Sequence, residues 1–164
     1  MEEAQEKHEK KEEGTLPCGC PGSMARILTR ADSPVSTASA GEQTSLLTNW
    51  PVQISLLPVK APYYDGADLL IAADCCAYAY AGFHRDFIKG STVAIGCPKL
   101  DNPDSHREKI GSIIRENDIQ SVTVAYMEVP CCKGLVLLAE DAVHQAEKKI
   151  PVRKKMIGVR GQAL

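Results

Sequence analysis

Three strand-like runs in this chain stop at cysteine, and each is followed by a stretch that can form or lead into a helix. Val122-Thr123-Val124-Ala125-Tyr126-Met127 is rich in β-branched residues, halts at Pro130 and passes into Cys131-Cys132-Lys133-Gly134. Asp68 to Ala73 is a continuous apolar run closed by Asp74-Cys75-Cys76, and Ser91 to Gly96 ends in Cys97-Pro98. Strands alternating with helices predict a parallel sheet with right-handed helical crossovers. Such a sheet gathers the carboxyl ends of its strands on one edge, where ligand sites form. Five of the seven cysteines are therefore expected to meet at that edge.

The remaining elements fill in the frame. Trp50 to Pro58 alternates at Val52, Ile54 and Leu56 between prolines and reads as a first strand. Ala61 to Gly66 suits a single helical turn with Pro62 near its start. The run Ala77 to Lys89 reads as a helix ending at Gly90. Ser105 with Glu108 has capping-box spacing, and Ile110, Ile113 and Ile114 give the apolar face of a helix ending near Asn117. Leu135, Leu138, Ala139, Ala142, Val143 and Ala146 keep helical spacing over three turns. Val152 to Val159 is a charged edge strand. The expected fold is a three-layer α/β sandwich, Rossmann-like, with a mostly parallel sheet of four to five strands. It divides into a disordered polar tail (1–17), a Cys-x-Cys loop with a wrapping segment (18–48) and the α/β domain (49–164).

Composition narrows the function classes. The apolar fraction of 44% in 164 residues builds a full core without disulfides. A net charge of −2 gives no basic surface for nucleic acid or an anionic membrane. The charge-rich ends, with six Glu against three Lys in residues 1–13 and a basic run at 148–160, read as solvated. The N-terminus is Glu/Lys-rich with no apolar segment of a secretory signal, and the run Ala67 to Phe83 is interrupted by Asp68 and Asp74 and too short to span a bilayer. A cytoplasmic location is expected. In a reducing compartment clustered thiols bind metals or do redox chemistry more often than they form disulfides.

The candidate ligands are Cys18, Cys20, Cys75, Cys76, Cys97, Cys131 and Cys132. The helix after each junction presents free N–H groups and a partial positive charge, which favours a thiolate at Cys76 and Cys132. Cys18 and Cys20 lie in the Gly/Pro-rich loop Pro17 to Ser23 and complete the set if that segment folds over the edge. Direct metal ligation is expected at Cys20, Cys97 and Cys132 first, then at Cys75 and Cys131. Paired Cys-x2-Cys zinc spacing is absent, so the pattern fits an iron–sulfur cluster, most simply [4Fe-4S] or a larger one, better than a zinc knuckle. The alternative is a zinc-binding or thiol-based interaction module without redox cycling.

Other polar residues carry less. Asp74 reads as a helix cap or an oxygen ligand, and His84 as a packed residue or a partner of Asp86. His8, His106 and His144 read as surface residues, and Glu128 as an acceptor for a backbone N–H near the edge. No Gly-x-Gly-x-x-Gly is present, and no spacing suggests a Ser–His–Asp set.

Five segments together carry a resemblance. They are Cys-Pro-Gly-Ser at 20–23, Trp-Pro-Val-Gln at 50–53, Ala-Asp-Leu-Leu-Ile-Ala-Ala-Asp-Cys at 67–75, Ile-Gly-Cys-Pro-Lys-Leu-Asp at 95–101 and Met-Glu-Val-Pro-Cys-Cys at 127–132. They resemble a family of ferredoxin-annotated iron–sulfur domain proteins of anaerobic bacteria and archaea, over roughly residues 18–164. The dicluster ferredoxin module that precedes this domain in many relatives has no counterpart in residues 1–17, which hold no cysteine. The resemblance implies an iron–sulfur cofactor and electron transfer or redox sensing. A redox partner protein is then expected, with no nucleic acid or membrane bound and a homodimer left open.

Overall fold

The computed structural model describes residues 24–28 and 44–164. Its centre is a four-stranded sheet of β3 (Ala67–Ala73), β4 (Ser91–Gly96), β5 (Ile119–Met127) and β6 (Val152–Ile157), in the order β4-β3-β5-β6. All three pairings are parallel, with Leu70 opposite Val93 on one side and Thr123 on the other. Leu69, Leu70 and Ile71 are each almost fully buried, so β3 carries core on both faces, as a central parallel strand must.

The strand order fixes where the helices go. The chain leaves β3 in one direction to form β4, then crosses back over β3 to form β5 and continues to β6. Right-handed crossovers put the β3–β4 connection on one face and the next two on the other. Accordingly α2 (Pro103–Glu116) and α3 (Lys133–Gln145) pack against each other. The faces they bury are the ones the spacing predicts: Ile110, Ile113 and Ile114 on α2, and Leu135, Leu138, Ala139, Ala142 and Val143 on α3.

Three local expectations are corrected. Trp50 to Pro58 is not a core strand: Asn49–Trp50 (β2) pairs antiparallel with Arg26–Ile27 (β1), and Ile54–Leu56 is a single 3-10 turn. The turn buries Ile54 and Leu57 at i,i+3 spacing and leaves Leu56 half exposed, so the core contact follows a helical rather than an alternating period. The predicted helix over 77–89 is broken. Cys76–Ala79 forms one turn (α1), Tyr80 is extended, and His84–Ile88 is a separate wide π-turn before Gly90 at φ 79°. Ser105 does not cap α2; Asn102 does, its side-chain oxygen accepting from Asp104 N and Ser105 N, with Pro103 at the first helical position.

Candidate functional site

The sheet reverses its order of construction at β3, because β4 and β5 flank it on opposite sides. That is the switch point at which α/β folds open a crevice beyond the carboxyl ends of their strands. The segment Asp74-Cys75-Cys76 leaves β3 there, and Pro130-Cys131-Cys132 leaves the end of β5 as a 3-10 turn feeding α3. Cys75 and Cys131 are exposed, while Cys76 and Cys132 are buried.

Neighbouring thiols bear on Cys76 and Cys132 electrostatically. Burial is the main cause that pushes the Cys76 thiol up to about 12; the neighbouring Cys132 and then Cys75 add to it. Cys132 is also raised, by burial first, with Cys131 and Cys75 contributing. The expectation of thiolates stabilised by helix N-termini is thereby reversed for this pair. Cys76 and Cys132 lie at the starts of α1 and α3, and burial raises both thiols there. Unliganded, both are neutral thiols at pH 7.

The remaining predicted residues are dispersed. Cys97 ends β4, half-buried, and its N–H donates to Asp101 Oδ2 at 2.7 Å. Cys18 and Cys20 lie outside the described residues, as does His8. Asp74 caps nothing: Cys75 occupies the N-cap of α1 without a side-chain bond, and Asp74 Oδ1 is buried with no hydrogen-bond partner. Burial, with Asp101 nearby, holds the Asp74 carboxyl above the usual range, and His106 partly offsets this. His84 does not pair with Asp86; its Nδ1 accepts from Leu46 N at 3.1 Å, while Asp86 takes Arg85 and Tyr80. Glu128 does accept a backbone N–H, that of Val159 at 2.9 Å beyond β6. His144 is exposed as expected.

His106 is the residue that sequence reasoning misplaced. It is 2% exposed, with Nε2 at 3.0 Å from Ser55 Oγ and Nδ1 at 3.9 Å from Asp101 Oδ2. A signal was available: His106 stands one turn before Ile110, on the stripe that Ile110, Ile113 and Ile114 define.

The Rossmann-like domain family model matches residues 61–164, which hold all four strands of the sheet. The chain belongs to the Rossmann-like domain family. A protein of Archaeoglobus fulgidus, itself described only as uncharacterized, is 38% identical over 112 residues, or 68% of this chain and 79% of that protein. No solved structure matches the chain. In Rossmann-like dinucleotide sites, glycines after the first sheet strand let the backbone approach a pyrophosphate. Here that turn is Asp74-Cys75-Cys76, which carries no glycine.

The donor chemistry of the crevice, four soft sulfurs, suits a thiolate-bound group. Among the described residues, however, no group of three or more His, Cys, Asp or Glu side chains is disposed to hold a metal ion. Any such site draws on residues beyond those described or on a rearrangement of the thiols. Among the described residues no helix is long and apolar enough to cross a membrane.

Proposed function

We propose that the chain binds an iron–sulfur cluster at the carboxyl edge of its sheet and acts in electron transfer or redox sensing with a partner protein. The observation that supports this reading is the placement of Cys75 and Cys76 at the tip of β3 and of Cys131 and Cys132 at the tip of the adjacent parallel strand β5. The motif resemblance described above points the same way. Cys132, Cys75 and Cys131 are the proposed ligands in the crevice, with Cys97 from the neighbouring strand and Cys76 as the more buried reserve. When bound, the cluster supplies one-electron transfer, its potential set by burial and by hydrogen bonds to sulfur.

The polarity of β1 supports a part for Cys20. Thr48 Oγ1 donates to Ser91 O at the start of β4, and Gln53 bridges Ile95 near its end, so this segment runs along β4 toward the carboxyl edge. Since β1 is antiparallel to β2, its N-terminal end, at Met24, lies on the side of that same edge. Four residues of extended chain span up to ~14 Å, which is the reach available to Cys20 from Met24.

The test is anaerobic purification followed by visible spectroscopy and assay of iron and acid-labile sulfide. Brown protein with both is the expected result; colourless protein with stoichiometric zinc overturns the reading. Cys20→Ser, Cys97→Ser and Cys132→Ser are each expected to lose bound iron. If all three retain it in full, the ligand set is wrong.

A further inference from the structure

On the β4 side of β3, next to Cys97, the tips of β3 and β4 bring together a second polar group. It consists of Ser55 from the 3-10 turn, His106 from the first turn of α2, Asp101 from the loop between β4 and α2, and Asp74 from the end of β3. The Ser55 Oγ to His106 Nε2 separation is 3.0 Å, and Ser55 is exposed where His106 is almost wholly buried. Ser55 donating to Nε2 leaves the ring proton on Nδ1. That nitrogen is buried without a hydrogen-bond partner, and it faces the Asp101 carboxylate at 3.9 Å. The carboxylate is itself fixed by the Cys97 N–H. Asp74 contributes a second buried oxygen without a partner and lies close enough to feel both Asp101 and His106. His106 Nδ1 thus lies near a carboxylate that is itself anchored by a backbone N–H.

A hydroxyl open to solvent, a base in hydrogen-bond contact with it, and an acid behind the base are the parts of an activated nucleophile. The ring is also held in place: a Cβ at Gly96 would come within 3.0 Å of His106 Cε1 and of Ile54 Cδ1. We propose that Ser55 is a nucleophile activated by His106, with Asp101 positioning the ring, and that it cleaves small esters with an apolar acyl group. The half-exposed Leu56 beside it in the turn supplies apolar surface for the acyl chain. In the first step Ser55 Oγ bonds to the acyl carbon and its proton passes to His106 Nε2. The ester C–O bond breaks, its electron pair goes to the leaving oxygen, and that oxygen takes the proton from His106. Water, deprotonated by the same nitrogen, then releases the carboxylic acid and restores Ser55. None of these steps uses a thiol, although Asp101 is held by the N–H of Cys97, one of the proposed cluster ligands.

The test is reaction of the full chain with a fluorophosphonate probe, read by intact mass and peptide mapping, with hydrolysis of 4-nitrophenyl butyrate as the second readout. Phosphonylation at Ser55 is expected, absent in Ser55→Ala and slowed at least ~100-fold in His106→Gln. Asp101→Asn is expected to slow labelling at least ~10-fold and to move the ring 15N resonances of His106 away from a single tautomer. It also serves if His106→Gln fails to fold. A folded wild-type protein that is not labelled at Ser55, or variants at His106 or Asp101 that label at the wild-type rate, would overturn the proposal.

Discussion

The two groups of side chains flanking the tip of β3 share a strand end and differ in the atoms they bring together, although Cys97 borders the second as well. Between β3 and β5 lie sulfurs, two buried and neutral and two open to solvent. Between β3 and β4 lie oxygen and nitrogen groups linked through a buried imidazole. One parallel sheet therefore gathers two chemically distinct groups of side chains at its carboxyl edge. On both sides burial is the largest cause of a raised pKa: Cys76 and Cys132 are kept as thiols, and the Asp74 carboxyl is held above its usual range.

The sharpest way to break this contrast is alkylation of the unliganded protein. Raising a thiol from 9.0 to about 12 lowers its thiolate fraction at pH 8 by ~10³. Cys76 should react with iodoacetamide at least that much more slowly than an ordinary thiol, while exposed Cys75 and Cys131 react readily. Equal rates at all four positions in the native protein would remove the distinction between buried and open thiols.

Stability against alkali comes next. The Cys76 thiol has a folded-state pKa above its unfolded value, so its folded form holds the proton longer. Its contribution is fully present below pH 9 and is lost as the pH rises from there toward 12. Urea midpoints should fall across that window, and Cys76→Ala should flatten the fall.

On the β4 side, Gly96→Ala places a methyl against the His106 ring and Ile54. Overpacking of this kind costs about 1–3 kcal/mol, measurable in urea. The cysteine alkylation pattern should stay unchanged if the two crevices are independent.

The smallest effect is expected from Asp74→Asn. The raised Asp74 pKa means its stabilising contribution is present below the normal carboxylate range and is lost as the pH rises through the folded value. The asparagine variant should match wild type near pH 3 and gain on it toward neutrality, by thermal melts. A variant less stable than wild type at pH 7 would contradict the burial argument.

The parallel sheet was legible because its first three strands are rich in apolar and β-branched residues and alternate with helix-patterned stretches. The cysteine edge followed from it, since strand ends in such a sheet have no choice of side. The 3-10 turn at 54–56 was not legible: Val52, Ile54 and Leu56 satisfy an alternating pattern, and the competing i,i+3 pair Ile54 and Leu57 satisfies a turn equally well. Tertiary packing against α2 decides between them. The break at Tyr80 was marked by Ala81-Gly82, where a glycine lowers helix propensity. His106 was misread because its polarity was weighed above its place on the stripe.

Asn49 holds a further consequence. Fully buried, its side-chain amide donates to Val93 O and Pro51 O and accepts from Val93 N at 2.8 Å, while Ile95 N donates to Val52 O. A side chain and a neighbouring segment thus take the role of a missing fifth strand. The amide protons of Val93 and Ile95, on the outermost strand of the sheet, should consequently exchange with deuterium as slowly as those of the interior, and a single Asn49→Ala change should release the Val93 proton first.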